Sequence, residues 1–333
     1  MYFLLGLSIL LAALLAFNSL TSLLTSLLWR AFGTRAQKLS AASRATLVFL
    51  LRTFPLVTSL ACVALLLAPA YVEHEPRVAP ENVSTKLALI AFLSAIGLAL
   101  AVWRGIASWR KTTRLTTDWL EHAEPIELPQ ISIPAYRMEH QFPVIAIVGV
   151  FRPRLFVANR ILASLSETEL LAALEHETAH VVMYDNLRRG LMRACHDVLV
   201  MVPCGRLLDR AWIDASEAAA DEYAAGRGKR TALDLASALV KIARLIPVGV
   251  KPAMPAGVFL VGAAEEAGVM SRVRRLMQLA DDSGNYKRAG FLLGIPTWSP
   301  IALIILIVAI AANEPHVLAT VHSLIETSVY LLS

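Results

Sequence analysis

The stretch Leu174-Glu175-His176-Glu177-Thr178-Ala179-His180 carries more potential chemistry than any other part of this 333-residue chain. Residues four apart on a helix share a face about one turn apart, so the imidazoles of His176 and His180 can reach a single metal ion. Glu177, next along the helix, is close enough to polarise a water on that ion. Zinc suits such a site because it brings the pKa of a bound water to about 7 and can keep one coordination position open. The spacing therefore predicts His176 and His180 as zinc ligands and Glu177 as a general base. An accidental pattern on a surface helix is the alternative, and its placement argues against it. Ser166 and Glu169 form a capping-box signature ahead of Leu170, Leu171 and Leu174. That puts the motif about two and a half turns into an amphipathic helix.

A catalytic zinc needs a third protein ligand. If the helix continued past His180, Asp185 would point about 140° away from the ligand face and His196 would lie about 24 Å along the axis. Neither is expected at the metal. Glu217, in Asp214-Ala-Ser-Glu217-Ala-Ala-Ala-Asp221-Glu-Tyr-Ala-Ala-Gly226, is far enough along to return on a second helix. Asp221 is one turn further on the same face, where it could accept the second N–H of a ligating histidine and fix its tautomer. Glu217 could instead be the N3 residue of a capping box begun by Asp214, with Gly226 ending that helix. Glu222 is the fallback ligand.

The elements that must hold these groups belong to a membrane protein. Hydrophobic residues make up 56% of the chain, charged residues only 17%, and the mean hydropathy is +0.59. This excludes a disordered chain, a nucleic-acid-binding tail and an ordinary cytosolic enzyme, because a soluble core of this size could not bury so much apolar surface. Four stretches approach the roughly 20 apolar residues of a spanning helix: Tyr2 to Leu28, Thr46 to Tyr71, Leu87 to Trp103, and Ala289 to Ala312 with Pro296 and Pro300 near its start. The first lacks a basic leader and a cleavage site and reads as an anchor. Arg30, Arg35, Lys38 and Arg44 crowd the first loop, Arg104, Arg110, Lys111 and Arg114 follow the third span, and Arg272, Arg274, Arg275, Lys287 and Arg288 precede the fourth. The positive-inside rule then predicts both termini outside and residues 104–288 in the cytosol. Arg52, inside the second span but near its cytosolic end, is expected to snorkel to water. The tail after Asn313 has a helical apolar period and reads as a short amphipathic helix on the outer surface. Asn82-Val83-Ser84 fits a glycosylation sequon. Cys62, Cys195 and Cys204 show no metal spacing and read as reduced packing residues.

Several stretches together resemble the BlaR/MecR-type membrane metallopeptidases: Gly149-Val-Phe-Arg-Pro-Arg-Leu-Phe-Val-Ala158, Leu-Ser-Glu-Thr-Glu-Leu170, His176-Glu-Thr-Ala-His180, Asp185-Asn186 and Glu217-x-x-x-Asp221. The resemblance runs over nearly the whole chain. It implies a mainly α, four-span helical membrane protein with a cytosolic zincin-like (gluzincin) α+β metalloprotease domain between the third and fourth spans. By that similarity His176, His180 and Glu217 correspond to zinc ligands, Glu177 to the general base and Asp221 to the residue behind a ligand. The chain departs from the family at Glu175, where small or apolar residues are usual, and in having only a short tail where sensor members carry an extracellular penicillin-binding domain. Ser108-Trp-Arg-Lys111 matches SxxK, but it stands on the predicted cytosolic side with no acylating domain around it, and reads as chance. The CAAX-endopeptidase/HtpX group shares the zinc motifs but places two spans before HExxH, against three here.

Softer features complete the reading. Val144–Val148 and Leu155–Val157 flank Arg152-Pro-Arg and read as a hairpin. Its edge could take a peptide as an added strand, or could be an ordinary half-buried hairpin. Arg272, Arg274 and Arg275 resemble the family's later Arg-rich helix. One of them could stabilise an oxyanion, although a solvated or membrane-facing basic patch is the simpler reading. His74, His122, His140, His316 and His322 have no partner spacing. The expected organisation is residues 1–103 as three spans with loops, 104–288 as the protease domain, 289–312 as the fourth span and 313–333 as the outer tail. The expected function is a zinc-dependent endopeptidase in the cell membrane that cleaves a repressor protein or its own chain on the cytosolic side. A separate sensor partner would replace the missing domain, and no nucleic acid is involved. The rival is a catalytically silent membrane regulator that keeps the zinc-site fold.

Overall fold

The structure, a computed structural model, describes residues 2–76, 83–128, 131–140, 142–198, 205–246, 266–281 and 299–332. Three helices are long and apolar enough to cross a membrane. Helix α1 covers Tyr2–Ala36. Helix α2 (Ala41–Cys62) continues through a π-helical turn, Val63–Leu67, into α3 (Ala68–His74) as one apolar rod. Helix α4 runs Thr85–Glu121. Serines set two of the starts: Ser40 Oγ accepts the Ser43 amide and Ser84 Oγ accepts the Leu87 amide, each satisfying a donor that the first turn leaves orphaned. Ser84 thus caps a helix, while Asn82 of the sequon lies outside the described residues.

Helix α4, at about 55 Å, is far longer than the roughly 30 Å hydrocarbon core. Its backbone is unbroken across residues 103 and 104, so only charge marks the expected domain boundary there. Its far end delivers Trp119 into the core of a small sheet, edge-on to Phe156 at 5.0 Å between ring centroids. The sheet has order β1-β2-β4-β3 and comprises Ala123–Ile126, Ala135–Met138, Ile145–Val148 and Arg154–Ala158 in chain order. Strands β3 and β4 form the expected antiparallel hairpin, with Ile147 opposite Leu155. Strand β4 pairs in parallel with β2. Gly149 turns the chain out of β3 at φ 107°, and a Cβ there would stand 2.8 Å from the Arg152 carbonyl oxygen, so glycine is required.

Short α5 (Asn159–Ser164) leads to α6 (Glu167–Val182), α7 (Asp185–Val198), α8 (Arg206–Ala225) and α9 (Lys229–Leu245). Helix α10 (Glu266–Asp281) packs on α9 and α8. The sheet, α6 and α9 share the largest core, which includes Phe156, Ile145, Leu174, Leu235 and Leu239.

Helix α8 is not confined to a separate cytosolic body. It lies along α2, burying Trp212, Leu208 and Ala215 against Phe49, Val48 and Ala45, and Ala218 and Ala219 against Ala41. Full burial of side chains such as Trp212 and Phe49 stabilises by about 1.5–3 kcal/mol each. Arg52 sits at this seam and corrects the snorkelling expectation. It is 3% exposed, and its Nε donates to Asp209 Oδ1 of α8 at 2.8 Å. A Cβ at position 205 would collide with the guanidinium at 2.6 Å, so Gly205 makes the room. The sequence showed the charge but not the helix that receives it.

Helix α11 (Ser299–Ala311) is apolar after its first residue, and α12 (Pro315–Leu332) turns from it by 92°. The two together make up a fourth candidate span or a bent pair, and residues 289–298 of the expected span lie outside the described residues. The tail is helical, as its period predicts, and Ile325 packs with Leu5, Leu67 and Tyr71. Among the cysteines Cys62 and Cys195 are free thiols, as expected, and Cys204 lies outside the described residues.

Candidate metal centre

Helix α6 begins with the capping box its sequence predicts. Ser166 Oγ accepts the Glu169 amide at 3.3 Å, and Glu169 Oε2 accepts the Ser166 amide at 2.8 Å. Glu169 also accepts Ser237 Oγ at 2.6 Å and Lys241 Nζ at 2.7 Å, which pins α6 to α9. Burial pushes its carboxyl up, but these donors outweigh burial and hold its pKa at about 2. The start of the helix is therefore fixed in register and position, and so are His176 and Glu177 two to three turns later, both buried.

Three side chains converge. His176 Nε2 and His180 Nε2 are 3.3 Å apart, and the Glu217 carboxylate lies 3.6 Å from the first and 3.9 Å from the second. At Zn–N and Zn–O distances of about 2.0–2.1 Å, tetrahedral neighbours stand about 3.3–3.4 Å apart, so the imidazole pair matches one zinc ion and the carboxylate stands a few tenths of an ångström further out. His176, His180 and Glu217 are the one group of this kind among the described residues.

The outward nitrogens explain why the inward ones converge. Asp221 Oδ1 lies 3.0 Å from His176 Nδ1, and Asp185 Oδ2 lies 2.7 Å from His180 Nδ1. Each carboxylate accepts an Nδ1 proton, leaving both Nε2 lone pairs directed at the same point. Two imidazole nitrogens 3.3 Å apart can share one proton or one metal ion. Glu217 Oε2 is likewise buried with no hydrogen bond of good geometry, although Arg272 Nη1 approaches it to 3.0 Å. The donor set suits a divalent metal.

Asp185 corrects the expectation that it points away. Helix α6 stops at Val182, Tyr184 takes a left-handed φ of 54°, and α7 starts in a new direction at Asp185. Ser216 Oγ of α8 then donates to Asp185 Oδ2 at 2.6 Å. The available signal was Asp185-Asn186 as helix-opening residues. Asn186 donates to the Ile147 carbonyl at 3.2 Å and the Gly149 carbonyl at 3.0 Å, lacing α7 to the hairpin. His196 lies on α7, and its side chain is outside the described residues.

Helix α8 supplies Glu217 and Asp221 from one face. It begins at Arg206, well before Asp214, so Glu217 sits mid-helix and the capping alternative is excluded; Gly226 does end the helix. The fallback ligand Glu222 is engaged elsewhere, accepting the Ala41 amide at 3.1 Å and pairing with Arg275. Glu175 pairs with Arg227 at 3.0 Å, so its charge is neutralised beside the site.

Arg272 is the second correction. Expected as part of a solvated basic patch, it clamps Asp221 with two bonds, Nε to Oδ2 at 3.0 Å and Nη2 to Oδ1 at 2.7 Å, and reaches Glu217 with Nη1. Only Arg274 of that run is exposed. No local sequence signal could join α10 to α8 across the intervening chain. Burial pushes the Glu217 carboxyl up, but Arg272 and then His176 outweigh it and hold the pKa at about 2. For His176 burial pushes down, while Asp221 and Glu217 win and raise the pKa to about 9. Glu177 is raised by burial, partly offset by His180 and His176. It lines a small cleft with Ile147, His180, Asp185, Asn186 and Glu217, close to the two imidazoles but outside the ligand trio.

The chain matches no protein-family model, no curated protein and no solved structure. What it can do is therefore read from its own residues. Strand β3 ends the sheet, but all four of its residues are buried and the Ile147 carbonyl is held by Asn186, which favours the ordinary buried hairpin over an open strand edge.

Proposed function

We propose that this protein is a zinc-dependent endopeptidase of the membrane, with His176, His180 and Glu217 as metal ligands and Glu177 as general base. The observation that carries the reading is the pair of Nε2 atoms 3.3 Å apart, each with its outer nitrogen held by a carboxylate. A bound zinc would supply Lewis acidity toward a carbonyl and would acidify a water to a pKa of about 7. Glu177, raised by burial and next to the ligands, takes the proton from the attacking water and hands it to the departing amine nitrogen. Asp221 and Asp185 keep the imidazoles in the tautomer that leaves Nε2 free, and Arg272 holds Asp221 and Glu217 in place.

The substrate class follows from the resemblance to the BlaR/MecR-type metallopeptidases: a polypeptide, either a repressor protein or the chain's own loop. The run of basic residues beside the spans supports the orientation in which this site faces the cytosol and α11 completes a fourth span. A separate sensor partner is part of the same proposal, as the source of the signal. A CAAX/HtpX-like quality-control protease would use the same residues. The silent regulator is the reading from another class, and the buried Glu177 speaks against it, because a structural site needs ligands but no base.

The test compares two variants in native membranes. Glu217→Ala is expected to lose the zinc, about one per chain in the wild type. Glu177→Gln is expected to keep the zinc and lose about 10²–10⁴-fold in cleavage rate. Equal zinc loss in both would mean the roles are misassigned, and unchanged function in Glu177→Gln would favour the regulator.

A further inference from the structure

We propose that the tip of the β3–β4 hairpin is a membrane anchor, resting Val150 and Phe151 in the leaflet at the Ala41 end of the second span and pairing Arg152 and Arg154 with anionic lipid headgroups. Phe151 is 90% exposed and Val150 42% exposed, directly after the glycine-only turn at Gly149. An aromatic residue held open to solvent by a required glycine has been presented, not left over. Arg152 and Arg154 flank it, and neither makes an ion pair among the described residues. Apolar tips ringed by arginine suit the interface of a bilayer, where the ring enters the acyl boundary and the guanidinium groups meet phosphate.

The position of the tip identifies the occupant. Asn186 ties Gly149 and Ile147 to the start of α7. Two residues later the Arg188 guanidinium lies 5.5 Å over the ring of Phe49, in the apolar second span, and Met192 packs into the same core as Phe49. The end of β3 that leads into the tip is therefore tied, through the first turn of α7, to the second span. The segment laced to it exposes Val182 and Tyr184, and α7 exposes Leu191. The apolar surface is thus continuous in chain and hydrogen bonding with the spans, and its basic residues repeat the sign of Arg30, Arg35, Lys38 and Arg44 at the same end. A protein partner would need no such continuity.

The inference rests on the membrane reading of α1 to α4 but not on zinc, and its test reads depth, not activity. The full chain, with Cys62, Cys195 and Cys204 replaced, carries a spin label at Phe151→Cys or, as a control, at Arg160→Cys beyond the other end of β4. Each is reconstituted in vesicles of phosphatidylcholine with phosphatidylglycerol, and circular dichroism with a wild-type thermal transition reports that the fold is intact. The expected result is collision of the 151 label with oxygen severalfold more frequent than with a water-soluble nickel complex, and the reverse at 160. Arg152→Glu with Arg154→Glu should shift the 151 label toward water. Equal aqueous exposure at 151 and 160 would overturn the anchor. Shielding at 151 from both oxygen and nickel would overturn it too, assigning the tip to a protein contact instead.

Discussion

Helix α8 sets acidic side chains against cations in its packed seams at two places, and they meet the cost of enclosed charge in opposite ways. Near its start Asp209 meets Arg52 of the second span, one cation for one anion, with Gly205 cut back to make the fit. Further along, Glu217 and Asp221 face two imidazoles and one guanidinium, and the nitrogens that matter most point at each other. The first arrangement is closed: nothing added would improve it. The second is left open where the two Nε2 atoms and the Glu217 carboxylate converge. Buried charge by itself therefore says little about function, since a buried pair is often no more stabilising than an apolar isostere. The distinction lies in whether the lone pairs are used up.

The largest expected effect separates the closed pair into its halves. Asp209→Leu strands the Arg52 guanidinium, which is 3% exposed, and should cost about 3–5 kcal/mol of stability in thermal unfolding of the detergent-solubilised protein. Arg52→Leu should cost less, because Asp209 keeps 29% exposure to solvent, and the double variant should return close to wild type. If the double variant is as damaged as Asp209→Leu, the pair is not closed in the sense argued here. At the open cluster Asp185→Asn should leave stability almost unchanged and weaken zinc about 10–100-fold in a metal titration, since it only loosens the tautomer of His180. An unaltered zinc affinity would reduce Asp185 to a helix start.

The smallest effect concerns a third, peripheral charge. Glu169 has a folded pKa of about 2 against an ordinary 4.5, so the stability it contributes is fully present above about pH 4.5 and is lost as pH falls toward 2. Lys241 is 43% exposed, so solvent screens part of this effect. Glu169→Gln should flatten the acid limb of a stability–pH profile over that window and leave it unchanged near neutral pH.

Local patterns were legible from the residues: the capped α6 with its two histidines, the three long apolar helices, the β3–β4 hairpin, and the shared face of Glu217 and Asp221. Each rests on periodicity or on spacing within a few turns. What stayed hidden needed a partner far away in the chain. Arg52 read as a snorkelling residue because the sequence of α2 says nothing of α8, and Arg272 read as solvated because its acids lie on another helix. Asp185 was misread for a different reason. Only a helix continuing past His180 would turn Asp185 away, and the left-handed Tyr184 after α6 is not a residue type that announces a break. The capping reading of Glu217 failed because Asp214 competed with an earlier start at Gly205 and Arg206.

The seam between α2 and α8 has a consequence for how the protein is made. The chain leaves the ribosome with its spans first, and the segment bearing His176 and His180 follows before the helix bearing Glu217. That helix buries Trp212 and Leu208 against Phe49 and Val48 of the second span, while Ala218 to Ala220 meet Ala179 and Met183 of α6. A newly synthesised copy that has not inserted lacks the span's half of that packing, so the helix bearing Glu217 and Asp221 is held from one side only. Seating the second span in the bilayer would thus complete the support of the helix that carries the proposed zinc site.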